Sequence, residues 1–267
     1  MNTKDVALVL SSGGPRGFAY IGAIEELLSR GYRITSVAGC SVGSLVGGIW
    51  AAGGLADFKE WLFGLDNFKL MTLLDFTPGK SYLMKGQRVI RAIEEIVPDI
   101  EISSLPVSYT AVASDLYTGE EVIFREGPLF EAIRASISIP SLFKPVKYRG
   151  RTLIDGGLVN TFPLGLASRS GNDILVGFDV NAIDPADTDS FREKMEADGS
   201  YYSIINRSFS LSNHALAEAA IKAYRPDVLA RLSLDSYGSI TDYAKGREIA
   251  EKGRELMSTA LDEYEAG

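Results

Sequence analysis

The amino-acid sequence predicts an α/β fold, in which helices cover both faces of a mostly parallel sheet. The first reason is that short apolar runs, typical of buried strands, alternate along the chain with segments whose apolar residues recur at helical spacing. The second is composition: 46% of the 267 residues are hydrophobic and 23% are charged, enough for a full core and a polar surface. Because no linker is long enough to divide the chain, we expect a single domain over residues 1–267.

The expected elements follow one another closely. The first strand ends at a turn rich in serine and glycine, and the helix after it ends at Gly31. The other helices are expected over residues 42–52, 86–97, 129–136, 201–224 and 243–264. The strands are expected over residues 6–10, 34–38, 107–113, 121–124, 152–154, 173–180 and 228–234. Residues 55–76 are irregular and rich in aromatic side chains, and residues 184–189 are expected to form a polar linker.

Charge and cysteine content restrict the classes of partner. The formal net charge is −8 at pH 7, which argues against nucleic acid and against strong electrostatic docking on anionic lipid. A lipid substrate met through apolar contact is compatible with this charge. The single cysteine, Cys40, excludes an intramolecular disulfide and fits a reducing compartment. Because residues 6–10 are too few for a signal-peptide core and no apolar run is long enough to span a membrane, we expect a cytoplasmic protein.

A candidate nucleophile lies in the segment Gly39-Cys40-Ser41-Val42-Gly43, between a predicted strand and a predicted helix. The chain must turn sharply at Ser41, and the flanking glycines allow the strand and the helix to pass close together. The helix start supplies unpaired N–H groups, so the N–H of Val42 is a candidate donor to an oxyanion. The alternative is that Ser41 only caps the helix. Cys40 is expected to pack as a small apolar residue.

A second glycine-rich segment, residues 12–17, follows the first strand and is called the glycine loop below. A dinucleotide site is disfavoured, because Ser12 replaces the first glycine of that motif and no acidic residue follows the second strand. A structural turn without a ligand and an oxyanion hole remain. In a parallel sheet this loop and Ser41 emerge at the same edge, which favours the oxyanion hole. Pro15 has no N–H, so the backbone donors are expected among Gly13, Gly14 and Arg16. Bracing of the loop by the arginine side chain is the alternative.

A serine nucleophile needs a base, and the sequence offers two candidates. His214 is the only histidine and would follow the chain order of an α/β-hydrolase triad, but it falls within a long predicted helix and too few strands precede Ser41 for that fold. Asp155 ends a short strand, and Gly156 and Gly157 leave space beside a carboxylate that could take the serine proton directly. Asp155 could instead only form a turn, since Asp-Gly is a common turn pair. The residues alone do not choose between these roles.

Taken together, these segments resemble the patatin-like phospholipase family. The family pattern is Gly-Gly-Gly-x-Arg/Lys-Gly, then Gly-x-Ser-x-Gly, then Asp-Gly-Gly/Ala, and it is matched in order by residues 12–17, 39–43 and 155–157. Residues 113–119 and 135–140 are also similar to the family. An ordered set of three motifs is much more specific than any one of them.

The resemblance covers about residues 5–182 and implies a three-layer α/β/α sandwich. It also implies a dyad without a catalytic histidine, in which Ser41 is the nucleophile and Asp155 is the base. The implied oxyanion hole is the glycine loop around Gly13, Gly14 and Arg16. The other motif positions are Gly17, Gly39, Gly43, Gly156 and Gly157. Ser12 departs from the pattern, but its N–H is still expected to be able to donate.

The sequence therefore predicts a serine acyl hydrolase that acts on phospholipids, lysophospholipids or simpler acyl esters through an acyl-enzyme. No metal or other cofactor is expected, because no cluster with ligand spacing is present. Residues 55–76 are the candidate acyl-chain contact or lid, with ordinary core packing as the alternative, and a transient contact with a membrane surface is compatible with this function. An acyltransferase with the same dyad and a non-catalytic lipid-binding protein of the same fold are the rival functions.

Overall fold

The structure is a computed structural model that describes residues 4–73, 87–140, 142–198, 201–237 and 240–267. Its strands are β1 (Asp5–Leu10), β2 (Arg33–Cys40), β3 (Ser108–Asp115), β4 (Glu121–Phe124), β5 (Val146–Tyr148), β6 (Arg151–Asp155), β7 (Ile174–Ala182) and β8 (Val228–Ser233). Its helices are α1 (Ala19–Ser29), α2 (Val42–Ala51), α3 (Leu55–Phe63), α4 (Asn67–Leu73), α5 (Gln87–Glu94), α6 (Leu129–Ser136), α7 (Pro185–Asp198), α8 (Tyr201–Tyr224) and α9 (Gly246–Ala266). Short 3₁₀ helices cover Gly14–Phe18, Ile102–Ser104, Gly156–Leu158, Leu164–Leu166 and Ile240–Lys245.

The strands of the described residues form one mixed sheet. Strands β3, β2, β1, β7 and β8 are parallel neighbours in that order. Strands β4 and β6 pair with β3 in the antiparallel sense, and β5 pairs with β6 in the same way. The sheet is thus mostly parallel, as the alternation of strands and helices predicts.

The central strand β1 shows the three layers. Its side chains alternate between the two faces, as a strand requires. Val6, Leu8 and Leu10 join the large core formed with α1, α2 and α9, whereas Ala7 and Val9 join a smaller cluster that includes residues of α8. Both faces of β1 are buried, which explains why it reads as a continuous apolar run in the sequence. The α/β/α architecture implied by the family resemblance is confirmed.

The register of β3 brings two strand ends together. Ala111 pairs with residues of both β2 and β4, so these strands lie on opposite sides of β3. Ala113 pairs with a residue of β4 on one side and with Asp155 of β6 on the other. Strand β6 therefore lies on the same side of β3 as β2, but next to a later part of β3. Strand β2 stops at Cys40, opposite Val112. The last residues of β2 and β6 therefore meet end to end, beside consecutive residues of β3.

Two expectations about the elements are wrong. The expected polar linker at residues 184–189 is the start of α7, where Asp184 Oδ1 accepts from the N–H of Ala186 at 2.9 Å and Pro185 occupies the first turn. An acidic cap followed by proline is a helix start signal, which the polar composition of this segment obscures. The last helix begins at Gly246 rather than at 243, because a 3₁₀ helix precedes it.

Most other predicted elements match the structure, although the helix expected over residues 86–97 ends at Glu94 and the segment expected to be irregular is largely helical up to Leu73. The helices over 129–136 and 201–224 have the predicted bounds, and the irregular aromatic segment forms α3 and α4 up to Leu73. Strand β5 was not predicted. The part of that aromatic segment beyond residue 73, and the first residue of the helix expected from 86, lie outside the described residues. Within the described part of the chain, no helix is long and apolar enough to cross a bilayer.

Candidate active site

Ser41 lies in a sharp turn between β2 and α2, called the serine elbow below. Its backbone has φ 53° and ψ −125°, a conformation that a residue with a side chain rarely adopts. The close approach of strand and helix requires glycines, since a Cβ on Gly39 would lie 2.4 Å from the main chain of Gly43. The N–H of Ser41 donates to Ser136 Oγ at 2.8 Å, and its carbonyl accepts from Ser44 Oγ at 2.6 Å. These two bonds hold the strained residue from both ends.

The elbow places the Ser41 hydroxyl against a carboxylate. Ser41 Oγ donates to Asp155 Oδ2 at 2.5 Å, and the other carboxylate oxygen accepts from the N–H of Gly157 at 2.8 Å. Both side chains are buried. Ser114 Oγ donates to the Asp155 carbonyl at 2.9 Å, which fixes the end of β6. A Cβ on Gly156 would lie 2.3 Å from the Val112 carbonyl oxygen, so only glycine fits between Asp155 and β3.

The carboxyl of Asp155 has an unusual proton affinity. Burial raises its pKa from the ordinary value of 3.8 to about 6, while the hydrogen bonds from Ser41 and from the Gly157 N–H act in the opposite direction. A carboxylate with a raised pKa is a stronger base but is still ionised at neutral pH. The arrangement therefore joins a hydroxyl donor to a carboxylate that can accept its proton at pH 7.

The glycine loop lies directly against the elbow. A Cβ on Gly17 would lie 2.2 Å from a methyl group of Val42, so the loop and the start of α2 are in contact. Among the described residues, the N–H groups of Gly13, Gly14 and Val42 have no acceptor within the protein. Gly14, Ser41 and Val42 line the same pocket. Two unpaired donors, from Gly14 and Val42, thus lie in the pocket wall with the serine, and the third comes from Gly13, the adjacent residue of the loop.

The Ser12 N–H is not one of these donors. It donates to the Thr161 carbonyl at 2.8 Å, and the two side-chain hydroxyls also form a short hydrogen bond with each other. The expectation that the Ser12 N–H could serve an oxyanion is therefore wrong. Ser12 instead ties the glycine loop to the segment after Asp155, and the space beside Gly157 holds its side chain.

Arg16 braces the loop through its side chain. Its guanidinium is buried and donates to the carbonyl of Leu234, the residue directly after β8, and burial lowers its pKa. A 3₁₀ helix pairs each N–H with the carbonyl three residues earlier, so the helix that begins at Gly14 uses the Arg16 N–H internally. The bracing alternative is thus the one that the contacts support, and the unpaired donors of the loop are Gly13 and Gly14.

A deep apolar pocket opens beside Ser41. It has a volume of about 820 Å³, part of it open to solvent. Among the described residues of its wall, the hydroxyl groups belong to Ser41 and Tyr243, the latter near Gly14. The apolar wall is formed by Phe18, Val42, Leu45, Phe58, Trp61, Leu62, Leu65, Leu73, Val89, Ile93, Ile137, Ile139, Leu142 and Phe143. The apolar lining suits a hydrocarbon chain.

The aromatic segment has two roles in this pocket. Phe58 and Leu62 of α3 are buried in the main core and also line the pocket, while Trp61 stacks on Phe58 with ring centroids 5.8 Å apart. Phe63 faces away, with Lys59 and Arg247 over its ring, and is not part of the wall. The two interpretations of this segment, acyl contact and core, both apply to α3.

The remaining candidates lie elsewhere. His214 is on α8, and its Nδ1 lies 2.8 Å from the Asn181 carbonyl oxygen, which identifies Nδ1 as the protonated nitrogen. The hydroxyl of Ser41 is bonded to Asp155 and not to this histidine. Cys40 is fully buried, and burial raises the pKa of its thiol, so it packs as a neutral side chain. No group of three His, Cys, Asp or Glu residues suited to a metal ion occurs in the described ranges.

Sequence reasoning missed two polar residues of the site, Ser136 and Asn181. Ser136 accepts the Ser41 N–H, and Asn181 Nδ2 donates to the Ser12 carbonyl at 2.8 Å. Ser136 lies in a segment already noted for its resemblance, which was a usable signal. Asn181 is the second-last residue of β7, the buried strand next to β1, and a polar residue near a strand end beside the glycine loop was the only hint.

Comparison with known proteins agrees with these motifs. The family model described as Patatin-like phospholipase matches residues 8–168, more than half of the chain. Over 176 residues the chain is 41% identical to an uncharacterized NTE family protein of Mycobacterium tuberculosis, covering 66% of this chain and 49% of that protein. It is 27% identical over 197 residues to patatin-like phospholipase domain-containing protein 6 of Mus musculus, covering 71% of this chain and 14% of that protein.

The fold has a counterpart among solved structures. The crystal structure of VipD from Legionella pneumophila aligns with a TM-score of 0.53 at 15% identity, covering 99% of this chain and 67% of that chain. At this identity the likeness concerns the fold alone. The chain spans about half the length of the mycobacterial relative and a smaller part of the mouse protein.

Proposed function

The chain belongs to the patatin-like phospholipase family, and from that premise we propose that it is a serine acyl hydrolase acting on fatty-acyl esters of phospholipids, lysophospholipids or related lipids. The observation that carries the proposal is the 2.5 Å hydrogen bond from Ser41 Oγ to Asp155 Oδ2 beside an apolar pocket. One residue can form a covalent bond to an acyl group, the other can take up its proton, and the pocket can hold the chain.

The first step transfers an acyl group to Ser41. As Ser41 Oγ attacks the ester carbonyl carbon, its proton passes to Asp155 Oδ2, and the carbonyl oxygen becomes an oxyanion. Collapse of the tetrahedral intermediate breaks the bond to the alcohol, which leaves with the proton held by Asp155. The products of this half-reaction are the free alcohol and an acyl-Ser41 ester.

The oxyanion is stabilised by the unpaired N–H groups of Gly13, Gly14 and Val42 in this proposal. Val42 also begins α2, so the positive end of the helix dipole lies near the developing charge. The buried Arg16 adds a fixed positive charge behind the glycine loop while its guanidinium braces that loop. Donors held in place in this way need no reorganisation when the charge forms.

The second step returns the enzyme to its starting state. Water gives a proton to Asp155 and attacks the acyl carbonyl, and collapse then breaks the ester bond to Ser41 Oγ, which recovers its proton from Asp155. The fatty acid is released. If an alcohol took the place of water at this step, the product would be a new ester and the enzyme an acyltransferase. Residues 1–267 acting as one domain, a cytoplasmic location and a transient contact with a membrane surface stay predictions.

The proposal is tested by labelling with a fluorophosphonate probe, together with hydrolysis of a short-chain nitrophenyl ester. We expect the wild type to be labelled and Ser41→Ala to be neither labelled nor active. Asp155→Asn is expected to react at least about 100-fold more slowly, since a general base contributes about 10²- to 10⁴-fold. Ser208→Ala, which changes an exposed serine of α8, is the matched control and should behave as the wild type.

Product analysis separates the rival functions. Release of free fatty acid from phospholipid vesicles, unaffected by added alcohol, supports a hydrolase, whereas a new ester formed with the alcohol indicates an acyltransferase. Labelling that persists in Ser41→Ala would contradict the assignment of the nucleophile. A wild type that binds lipid but is neither labelled nor active would favour a non-catalytic lipid-binding protein.

A further inference from the structure

The peptide bond between Ser12 and Gly13 is held by its carbonyl group. The Ser12 carbonyl oxygen accepts from Asn181 Nδ2 at 2.8 Å and from Ser11 Oγ at 2.9 Å. Both bonds are buried, and the Asn181 side chain is fully shielded from solvent. The direction of this carbonyl is therefore set by a residue of β7.

The direction of the carbonyl sets the direction of the Gly13 N–H. In a planar trans peptide the C=O and the following N–H point opposite ways, and the described chain has no cis peptide bonds. Strand β1 lies between β7 and β2. A carbonyl held towards β7 thus turns the Gly13 N–H towards β2, and Ser41 directly follows β2. This N–H is one of the unpaired donors of the glycine loop.

The Asn181 amide can be placed in only one way. Besides the Ser12 carbonyl, its Nδ2 lies 3.1 Å from Asp179 Oδ1 and 3.1 Å from Ser11 Oγ. The carbonyl and the carboxylate can only accept, so the NH₂ group of the amide must face them. A side chain without an NH₂ group at this position would leave the Ser12 carbonyl without its donor from β7.

The main-chain N–H and carbonyl groups of Asn181 are both hydrogen-bonded. Its N–H donates to Asp179 Oδ1 at 2.9 Å, and its carbonyl accepts from His214 Nδ1 at 2.8 Å. Asp179 in turn pairs with Arg231, with the nitrogen and oxygen 3.1 Å apart. The loop is thus connected by hydrogen bonds to a polar cluster on β7, β8 and α8.

We propose that Asn181 is a positioning residue for the acyl-transfer reaction: it aims the Gly13 N–H at the oxyanion and does not itself contact the substrate. The inference rests on the proposed function. Asn181 lies beyond residue 168, where the match to the family model ends. The C-terminal part of the chain would then take part in catalysis through this bond.

The first test measures transition-state binding in Asn181→Ala and in the nearly isosteric Asn181→Asp, which has no NH₂ group. Loss of one oxyanion donor costs about 10²- to 10³-fold. Because these variants misdirect the Gly13 N–H but do not remove it, we expect kcat for a short-chain ester to fall by less, about 10- to 100-fold, with KM within about twofold. The affinity for a long-chain alkyl trifluoromethyl ketone, which forms an oxyanion on Ser41, should fall by the same factor as kcat. The affinity for the matching methyl ketone should not change. Asn206→Ala, on an exposed part of α8, is the matched control.

A purely structural role would give a different pattern. In that case both ketones would lose affinity equally, or Tm would fall while kcat stayed within about threefold of the wild type, and either result would overturn the proposal. The second test does not depend on turnover. In ¹⁵N-labelled protein, the Gly13 amide signal should shift or broaden in Asn181→Ala while that of the distant turn residue Gly119 stays in place.

The two tests separate the inference from the proposed function. A wild type that is neither labelled by fluorophosphonate nor active would contradict the function, and the Gly13 signal would still report whether Asn181 orients the peptide. An active wild type whose Gly13 signal is the same in Asn181→Ala would contradict the inference alone.

Discussion

The two sides of Ser41 are built from different kinds of interaction. On one side, Asp155 and Ser136 hold it through directional hydrogen bonds between buried polar groups, and the Gly157 N–H holds the Asp155 carboxylate in turn. On the other side, α3, α4, α5 and the segment after α6 form an apolar wall that offers almost no directional contact. Hydrogen bonds fix atoms to within fractions of an ångström, whereas apolar contact mainly rewards burial of area.

This difference predicts which kinetic parameter, kcat or KM, should respond to changes on each side of Ser41. Changes on the polar side alter the geometry of the transition state and should lower kcat. Changes on the apolar side weaken the binding of the acyl chain before and during the reaction alike and should raise KM for long chains. The predictions below test this division, beginning with the largest expected effect.

The largest effect is expected from pH on the polar side. Asp155 must be ionised to act as a base, and its pKa is raised to about 6 by burial. We therefore expect kcat/KM to be constant above about pH 7 and to fall about tenfold per unit below pH 6, or about 100-fold by pH 4. A profile of kcat/KM against pH for a short-chain ester, with folding followed by circular dichroism, measures this. A flat profile between pH 4 and 7 would show that Asp155 is not the base.

The stability of the folded protein should change with pH in the opposite direction to its activity, because Asp155 stabilises the folded state when protonated. The folded state holds the proton up to a pKa of about 6, while an unfolded aspartate loses it near its ordinary value. The contribution to the free energy of unfolding is therefore fully present below about pH 4 and is lost as pH rises through 6. Asp155→Asn should accordingly raise Tm at pH 7, by about 2–5 °C, and should not raise it at pH 4. An equal change in Tm at both pH values would contradict the raised pKa.

The next largest effect on activity is expected from loss of the hydrogen bond between the Ser41 N–H and Ser136 Oγ, which holds the serine elbow. Ser136→Ala leaves the Ser41 N–H without an acceptor, at a cost of about 1–3 kcal/mol, and lets the strained residue relax. We expect kcat to fall about 10- to 100-fold with little change in KM. The matched control is Ser138→Ala, a buried serine of the same segment whose hydroxyl contacts Arg134. A higher KM at unchanged kcat would contradict the expectation that changes on the polar side of Ser41 act on kcat.

A smaller effect is expected on the apolar side. Trp61→Ala removes a large part of the pocket wall, so KM for a long-chain ester should rise about tenfold, while kcat/KM for an acetyl ester should change less than about twofold. The chain contains two tryptophans, and the other, Trp50 on α2, does not line the pocket. Trp50→Ala is therefore the matched control. An equal loss for both chain lengths would show that α3 supports the dyad rather than the acyl chain.

The smallest effect is expected from the histidine. His214 contacts the main-chain carbonyl of Asn181, and it is Asn181 that bonds to the glycine loop. We expect His214→Ala to keep kcat within about threefold of the wild type for the nitrophenyl ester. A loss of more than about 100-fold would restore the Ser–His–Asp triad as an interpretation.

Much of the fold followed from local patterns in the sequence. The apolar run of β1 and the bounds of α6 and α8 depend on the spacing of side chains along one segment, and that spacing can be read without knowing the neighbours. The start of α7 was missed although Asp184 and Pro185 carried the signal. Strand β5, only three residues long, has too little pattern to be recognised alone.

The sequence by itself determined the fold class, the family and the three motifs, because each is a short segment whose residue types serve one local turn or strand. Only the tertiary structure decided which groups meet. Ser41 and Asp155 are brought together because β2 and β6 end at consecutive positions along β3. Whether a given main-chain group is free depends on distant carbonyls and side chains: the Thr161 carbonyl accepts the N–H of Ser12, and the Asn181 side chain donates to the carbonyl of Ser12. Hydrogen bonds between residues more than a hundred positions apart leave no local pattern, so no spacing in the chain could have predicted them.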